Sequence, residues 1–156
     1  MPVAYVSAEE LGRPWILAIA AGLVAGAVAA FAYAAISYAI EREILIAIMA
    51  IGMAVGFVVR RVSGRPGWVG GIIALVIAAV ATLAAVILLV VFSAAGSISD
   101  GLTWLGDVDY AFALRLYFSD FLSYVFVAAS LLFAFVGGRK SAPTAAPAAS
   151  PVADAA

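Results

Sequence analysis

The sequence predicts an all-α membrane protein: a four-transmembrane-helix bundle, N-terminus and C-terminus cytoplasmic, with an aromatic outer loop between helices three and four. Three observations predict it. The 156 residues are 67% hydrophobic and 11% charged, with a mean hydropathy of +1.21, whereas soluble domains are roughly half apolar and a quarter charged. The few charges are clustered, and the clusters divide the chain into four long uncharged stretches. A bilayer core about 30 Å thick asks for roughly 20 apolar residues per helix, because every backbone N–H and C=O must be satisfied within the span.

The first stretch runs from Pro14 to Ile40 and is closed by Glu41, Arg42 and Glu43. At 1.5 Å per residue it reaches ~40 Å, so it tilts or protrudes. Its leader carries Glu9 and Glu10 against Arg13, and its apolar core is much longer than that of a secretory signal, so an uncleaved helix is expected. Tyr38 to Glu43 must then form a tight hairpin. The second stretch, Ile44 to Val59, reaches only ~24 Å and has to recruit its charged flanks at the two interfaces. Arg60, Arg61 and Arg65 close it, with Gly64, Pro66 and Gly67 marking a turn. The third stretch, Trp68 to Ser99, carries no charge, and its helix should end near Ala95 or Gly96. The fourth, Phe121 to Gly138, follows Asp120 and stops at Gly137, Gly138, Arg139 and Lys140. The expected organisation is a cytoplasmic segment 1–13, a four-helix domain 14–138 with helices about 14–40, 44–60, 68–96 and 120–137, and a tail 139–156.

Orientation follows from basic residues in short loops, which resist translocation. With the N-terminus inside, the inner side carries Arg13, Arg60, Arg61, Arg65, Arg139 and Lys140, and the outer side only Arg42 and Arg115. Arg60, Arg61, Arg65, Arg139 and Lys140 read as topology determinants and as contacts to lipid headgroups.

Lipid removes the hydrophobic drive between helices, so close backbone packing must supply association. The first helix has Ala18, Gly22, Gly26, Ala30 and Ala34 at intervals of four; the second has Gly52 and Gly56; the third has Gly70, Ala74, Ala78 and Thr82. These small-residue faces read as helix-packing faces within the chain, with a dimerisation face as the competing reading. The fourth helix lacks glycine inside its span and carries Phe121, Tyr124, Phe126, Phe133 and Phe135, which leaves it packing by large side chains, or facing lipid or a partner.

The largest loop, Ser97 to Ser119, contains Trp104, Tyr110, Phe112, Tyr117 and Phe118, the composition of chain lying at headgroup level. Asp107 is a candidate cap for a helix running to Phe118, and Ser119 or Asp120 for the last span; the alternative is one helix from Asp107 to Val136. The tail from Ser141 is Ala-, Pro- and Ser-rich and is expected to be disordered.

Chemistry is sparse. There is no cysteine and no histidine, which excludes disulfides, Cys/His metal sites and the commonest general base. Every charge lies at or beyond a span boundary, and the interior polar set is Tyr33, Ser37, Thr82, Ser93, Ser123, Tyr124 and Ser130. The outer acids Glu41, Glu43, Asp100, Asp107, Asp109 and Asp120 form no ordered ligand loop and read as solvated surface charge. Formal net charge is −1, which gives nucleic acid no basic footprint. No catalytic residue, metal ligand or cofactor is expected, so the chain reads as no enzyme.

The run YAIEREILIAIMAIGMAVGFVVRR, Tyr38 to Arg61, sets an acidic residue before a short span with G-x-x-x-G and a basic end. A glycine-rich start to the third span follows, and the aspartate-led aromatic stretch Ser119 to Phe126 introduces the last. Over about two thirds of its length the chain resembles bacterial small four-span integral membrane proteins of uncharacterised function. The resemblance implies four spans in a bacterial plasma (inner) membrane and lends no activity. The expected role is a non-enzymatic multi-pass protein, a small subunit or self-associating scaffold. Its partners would be membrane lipids and either further copies of itself or another membrane protein. A small oligomeric channel or transporter is the alternative.

Overall fold

The computed structural model describes residues 8–41, 44–64 and 67–139, and these are helical almost throughout. The elements are α1 (Ala8–Ala39), α2 (Leu45–Ser63), α3 (Trp68–Ala95), α4 (Ile98–Trp104), α5 (Tyr110–Tyr117) and α6 (Phe121–Arg139). α1, α2, α3 and α6 are each long and apolar enough to cross a membrane. Residues 1–7, Arg65, Lys140 and the tail beyond it lie outside the described residues.

Three helix boundaries differ from those read off the charges, for one reason: a charge marks the edge of hydrocarbon, not the end of a helix. α1 begins at Ala8, so part of the segment expected to precede it is helical, and Pro14 lies inside the helix. Pro14 is the seventh residue of α1, beyond the four N–H groups that lack an intrahelical partner, so it removes one i→i−4 hydrogen bond from the helix. α2 runs past Arg60 and Arg61, which occupy its last turn, and stops at Gly64. There the backbone turns left-handed (φ 61°) and the Gly64 N–H closes on the Arg60 carbonyl at 3.2 Å. α6 likewise continues through Gly137 and Gly138 to Arg139. α3 ends as expected, at Gly96, with φ 69° and its N–H on the Phe92 carbonyl. Only glycine enters such a left-handed cap without steric cost.

α2 and α3 touch each other and both α1 and α6, which lie on opposite sides of that central pair. Half of the α3 span is buried against 22% of the α1 and α6 spans. The contacts that set these distances are between backbones. A Cβ added at Gly52 would fall inside the van der Waals shell of the Ser130 carbonyl oxygen, and one at Gly56 would lie 2.7 Å from that of Ala134. On α3, a Cβ at Gly70 would lie 2.8 Å from the Gly138 carbonyl oxygen. α6 therefore has a small-residue face after all: Ser130, Ala134 and Gly138, four apart and all buried. Reading Gly137 and Gly138 as a stop signal hid it. Phe121, Tyr124 and Phe133 of α6 point the other way, the first two 76% and 54% exposed, while Phe135 packs on Trp68 of α3.

α1 packs differently. Gly22 and Gly26 are notches that receive branched side chains: Val59 and Ile77 approach the first, Ala81, Val55 and Ile77 the second. The core divides into two clusters, one around Val55, Val59, Ala74, Ile77 and Ala134, the other around Ile48, Ile51, Val86, Leu89 and Phe92. Phe92 is fully buried, with Phe31 and Tyr38 edge-on at centroid distances of 6.0 and 6.4 Å.

The outer surface is inverted relative to a water-soluble bundle. Alanine, glycine, serine and threonine fill much of the interior, while Ile16 (67% exposed), Val24 (65%) and Phe121 form part of an apolar belt. Patches of that extent on a soluble monomer mark a site buried in something else.

Two substitutions separate tight from open glycines. Gly52→Ala is expected to destabilise the purified protein by about 1–3 kcal/mol, the usual cost of overpacking. Gly106→Ala, whose added Cβ meets nothing within 4 Å, should stay within about 0.5 kcal/mol. Denaturant unfolding in detergent reads both, and equal effects would contradict the packing described.

Candidate functional site

Among the described residues no cluster of chemistry lies in the middle of the bundle, so the candidate sites are its two ends. Glu9, Glu10 and Arg13 lie in the first two turns of α1, and the other described charges sit at one end or the other. Arg60, Arg61 and Arg139 belong to the end formed by the start of α3 and the finish of α2 and α6. Glu41, Asp100, Asp107, Asp109, Arg115 and Asp120 belong to the other.

At the acidic end, two short helices cover the bundle where one was expected. α4 starts on the sequence Ser-x-x-Asp with Ser97 as N-cap: the Asp100 N–H donates to Ser97 Oγ at 3.0 Å, and Ser97 Oγ donates to Asp100 Oδ2 at 2.7 Å, side chain to side chain. Reading Ser97–Gly101 as the start of a loop missed this element. Gly101 of α4 lies against Phe92, so close that an added Cβ would be 2.7 Å from Cδ1 of the ring. α5 is capped by Asp109, not Asp107: its Oδ1 accepts from the N–H groups of Ala111 and Phe112 at 3.0 and 3.1 Å. Asp120 accepts from the Leu122 N–H at 3.3 Å and opens α6, so α5 and α6 are separate helices and not one.

α5 buries Ala113 and Tyr117 and turns Tyr110 and Phe112 outward. A ladder of rings, Tyr117 to Phe118 at 5.4 Å and Phe118 to Tyr124 at 4.9 Å, ties it to α6. Tyr38 donates to the Gly96 carbonyl at 2.5 Å, holding the end of α1 against the end of α3. Two of the acids, Asp109 and Asp120, thus serve as helix caps, and among the described residues no group of three or more carboxylates could hold a metal ion.

At the basic end the arginines meet aromatic rings. The Arg139 guanidinium lies 4.1 Å above Trp68, whose ring meets Phe135 edge-on at 5.4 Å, and Arg60 lies 5.9 Å over Phe57. Arg139 and Trp68 are far apart in the chain, and only the antiparallel packing of α3 against α6 brings them together. Arg61 is exposed. Of the residues expected to pack helices, Gly22, Gly26, Gly52, Gly56, Gly70, Ala74 and Ala78 are all buried at interfaces within the chain.

Between the ends, Ser37, Thr82, Ser123 and Ser130 are buried together with Tyr33, whereas Ser93 and Tyr124 face outward, contrary to expectation. Ser93 follows Phe92, and one residue turns a helix by about 100°, so a buried Phe92 rotates Ser93 away from the core. The Ser37, Thr82 and Ser130 hydroxyls have no hydrogen-bond partner among the described residues. These groups are neutral, and none can take up or release a proton near neutral pH.

Comparison with protein-family models, curated proteins and solved structures finds no match to this chain.

The cap of α4 and α5 should open independently of the bundle. Ser97→Ala or Asp109→Ala removes an N-cap and should cost about 1 kcal/mol locally. Limited proteolysis is expected to cut faster within 97–119 in either variant, with the global unfolding transition nearly unmoved. Unchanged cleavage, or a shift as large as that of Phe92→Ala (about 3–5 kcal/mol), would contradict a separable cap.

Proposed function

We propose that the chain is a multi-pass integral membrane protein of a bacterial plasma membrane, non-enzymatic, acting as a small subunit or self-associating scaffold of a membrane assembly. The observation that carries this reading is the inverted surface: a belt of exposed isoleucine, valine, leucine and phenylalanine between two charged ends, around an interior of small residues. Such a belt is stable only when covered by lipid or by other apolar helices. The peripheral positions of α1 and α6 leave two broad helix faces for those neighbours.

The basic end, with Trp68 beside Arg139 and Trp15 close by, is assigned to the cytoplasmic interface, and the acidic end with its α4–α5 cap to the outside. Arginine resists translocation, and tryptophan prefers the headgroup layer. Both termini are then cytoplasmic. Partners are membrane lipids together with further copies of the chain or another membrane protein, and nucleic acid is not among them.

A small oligomeric channel is the second reading, favoured by the unpartnered hydroxyls of Ser37, Thr82 and Ser130. Against a path through a single chain, Ile48, Ile51, Val55, Val59 and Phe92 are fully buried and fill the space between the helices.

Because the chain contains no cysteine, single cysteines report topology cleanly. A membrane-impermeant maleimide is expected to label Ser99→Cys in intact cells and Ser141→Cys only after permeabilisation; the reverse pattern would invert the topology. Affinity purification in mild detergent, followed by mass spectrometry, is expected to return a stoichiometric membrane-protein partner or a homo-oligomer. A stable, partnerless monomer would contradict the subunit reading.

A further inference from the structure

The lipid-facing side of the α1–α2 pair is not smooth. Leu17, Ala20, Ala21 and Val24 of α1 and Val58 and Val62 of α2 line a wholly apolar groove of about 570 Å³. That volume falls within the roughly 300–1,000 Å³ typical of ligand sites. The alanines make the trough, because they stand where larger side chains would otherwise fill the angle between the two helices.

Position relative to charge gives the groove a chemistry. Val58, Arg61 and Val62 lie three and four residues apart and so share one face of α2, which places Arg61 at the groove's end nearest the basic collar. Arg13 lies one turn before Leu17 on α1, and two further arginines of this end rest on rings, Arg60 on Phe57 and Arg139 on Trp68. Arg61 is exposed and has neither a ring nor a carboxylate among the described residues. Apart from Glu9 and Glu10, roughly two turns before Leu17 on α1, the described carboxylates are at the opposite end. A guanidinium recognises phosphate in a two-pronged geometry that a point charge does not.

We propose that this groove holds one acyl chain of an anionic membrane phospholipid, with Arg61 taking the headgroup phosphate. The inference rests on the membrane reading above and adds a specific ligand, a specific place and a specific cation to it. An aliphatic chain needs only dry, concave wall, which Ala20, Ala21 and Val58 supply. The anionic headgroup supplies what Arg61 lacks. A general attraction of the basic end for anionic lipid would instead be shared among Arg13, Arg60, Arg61 and Arg139.

The test is native mass spectrometry of the full chain in mild detergent with equal amounts of phosphatidylglycerol and phosphatidylcholine carrying the same acyl chains. One cation near a headgroup is worth about 1 kcal/mol, so the native chain should retain phosphatidylglycerol about fivefold over phosphatidylcholine. Arg61→Gln should bring the two lipids to parity, and Arg139→Gln should leave the preference intact. Ala20→Phe, which fills the trough from an exposed position, should reduce retention of both lipids. Equal retention by the native chain, or a preference that survives Arg61→Gln, would overturn the proposal. Oxidative cross-linking of Ala20→Cys into dimers within the membrane would also overturn it, by placing a second copy in the groove. Alkaline carbonate extraction keeps the premises apart: release of the chain would sink the membrane reading itself, whereas equal lipid retention by a chain that resists carbonate sinks only the lipid site.

Discussion

The fold depends on how closely α6 approaches α2 and α3. Gly52 and Gly56 on one helix, and Gly70 and Ala74 on the other, meet Ser130, Ala134 and Gly138 with no side chain between the backbones. In water, burial of large apolar side chains would hold such a bundle together. Between helices in lipid that drive is absent, and dispersion across a close interface takes its place, helped by weak Cα–H···O contacts. A methyl group in this seam separates two helices, not two side chains. The rest of the architecture is arranged around it: α2 and α3 form the centre because each offers one face to α6 and another to α1.

The two ends follow from that centre. Antiparallel packing puts the last turns of α2 and α6 beside the first turn of α3, which gathers Arg60, Arg61 and Arg139 with Trp68 and Phe135. The same packing gathers the opposite helix ends under α4 and α5, where Ser97, Asp109 and Asp120 cap the helix starts. The charge asymmetry that orients the chain in the proposed topology is therefore also structural, one sign spent on rings and the other on helix starts. Among the described residues, the polar groups buried in the middle are neutral hydroxyls.

Much of this was legible in the sequence, and the misses have physical causes. Four spans are visible because backbone satisfaction in lipid demands long apolar runs, and the small-residue spacing of the first three helices is open to inspection. The end of α2 expected at Arg60 falls three residues short of Ser63, because long arginine side chains let a helix continue while the charge reaches the interface. The α6 seam was hidden by treating Gly137 and Gly138 as punctuation. The Ser97 cap was present in the sequence and overlooked. Two features had no sequence signal at all: the pairing of Arg139 with Trp68, which only topology creates, and the α1–α2 groove, whose alanines look like every other alanine of an alanine-rich helix.

The most direct measurement is a disulfide across the α3–α6 seam. A Cβ at Gly138 would lie 2.6 Å from the Gly70 carbonyl oxygen and 2.8 Å from the Cβ of Ala74, so the helices must part by about an ångström, which also brings the pair to the 3.5–4.5 Å of a disulfide. In the otherwise cysteine-free chain, Ala74→Cys with Gly138→Cys should oxidise in native membranes to a cross-linked monomer. A cross-linked dimer would mean that this small-residue face joins two copies, and free thiols after oxidation would mean that the seam does not exist.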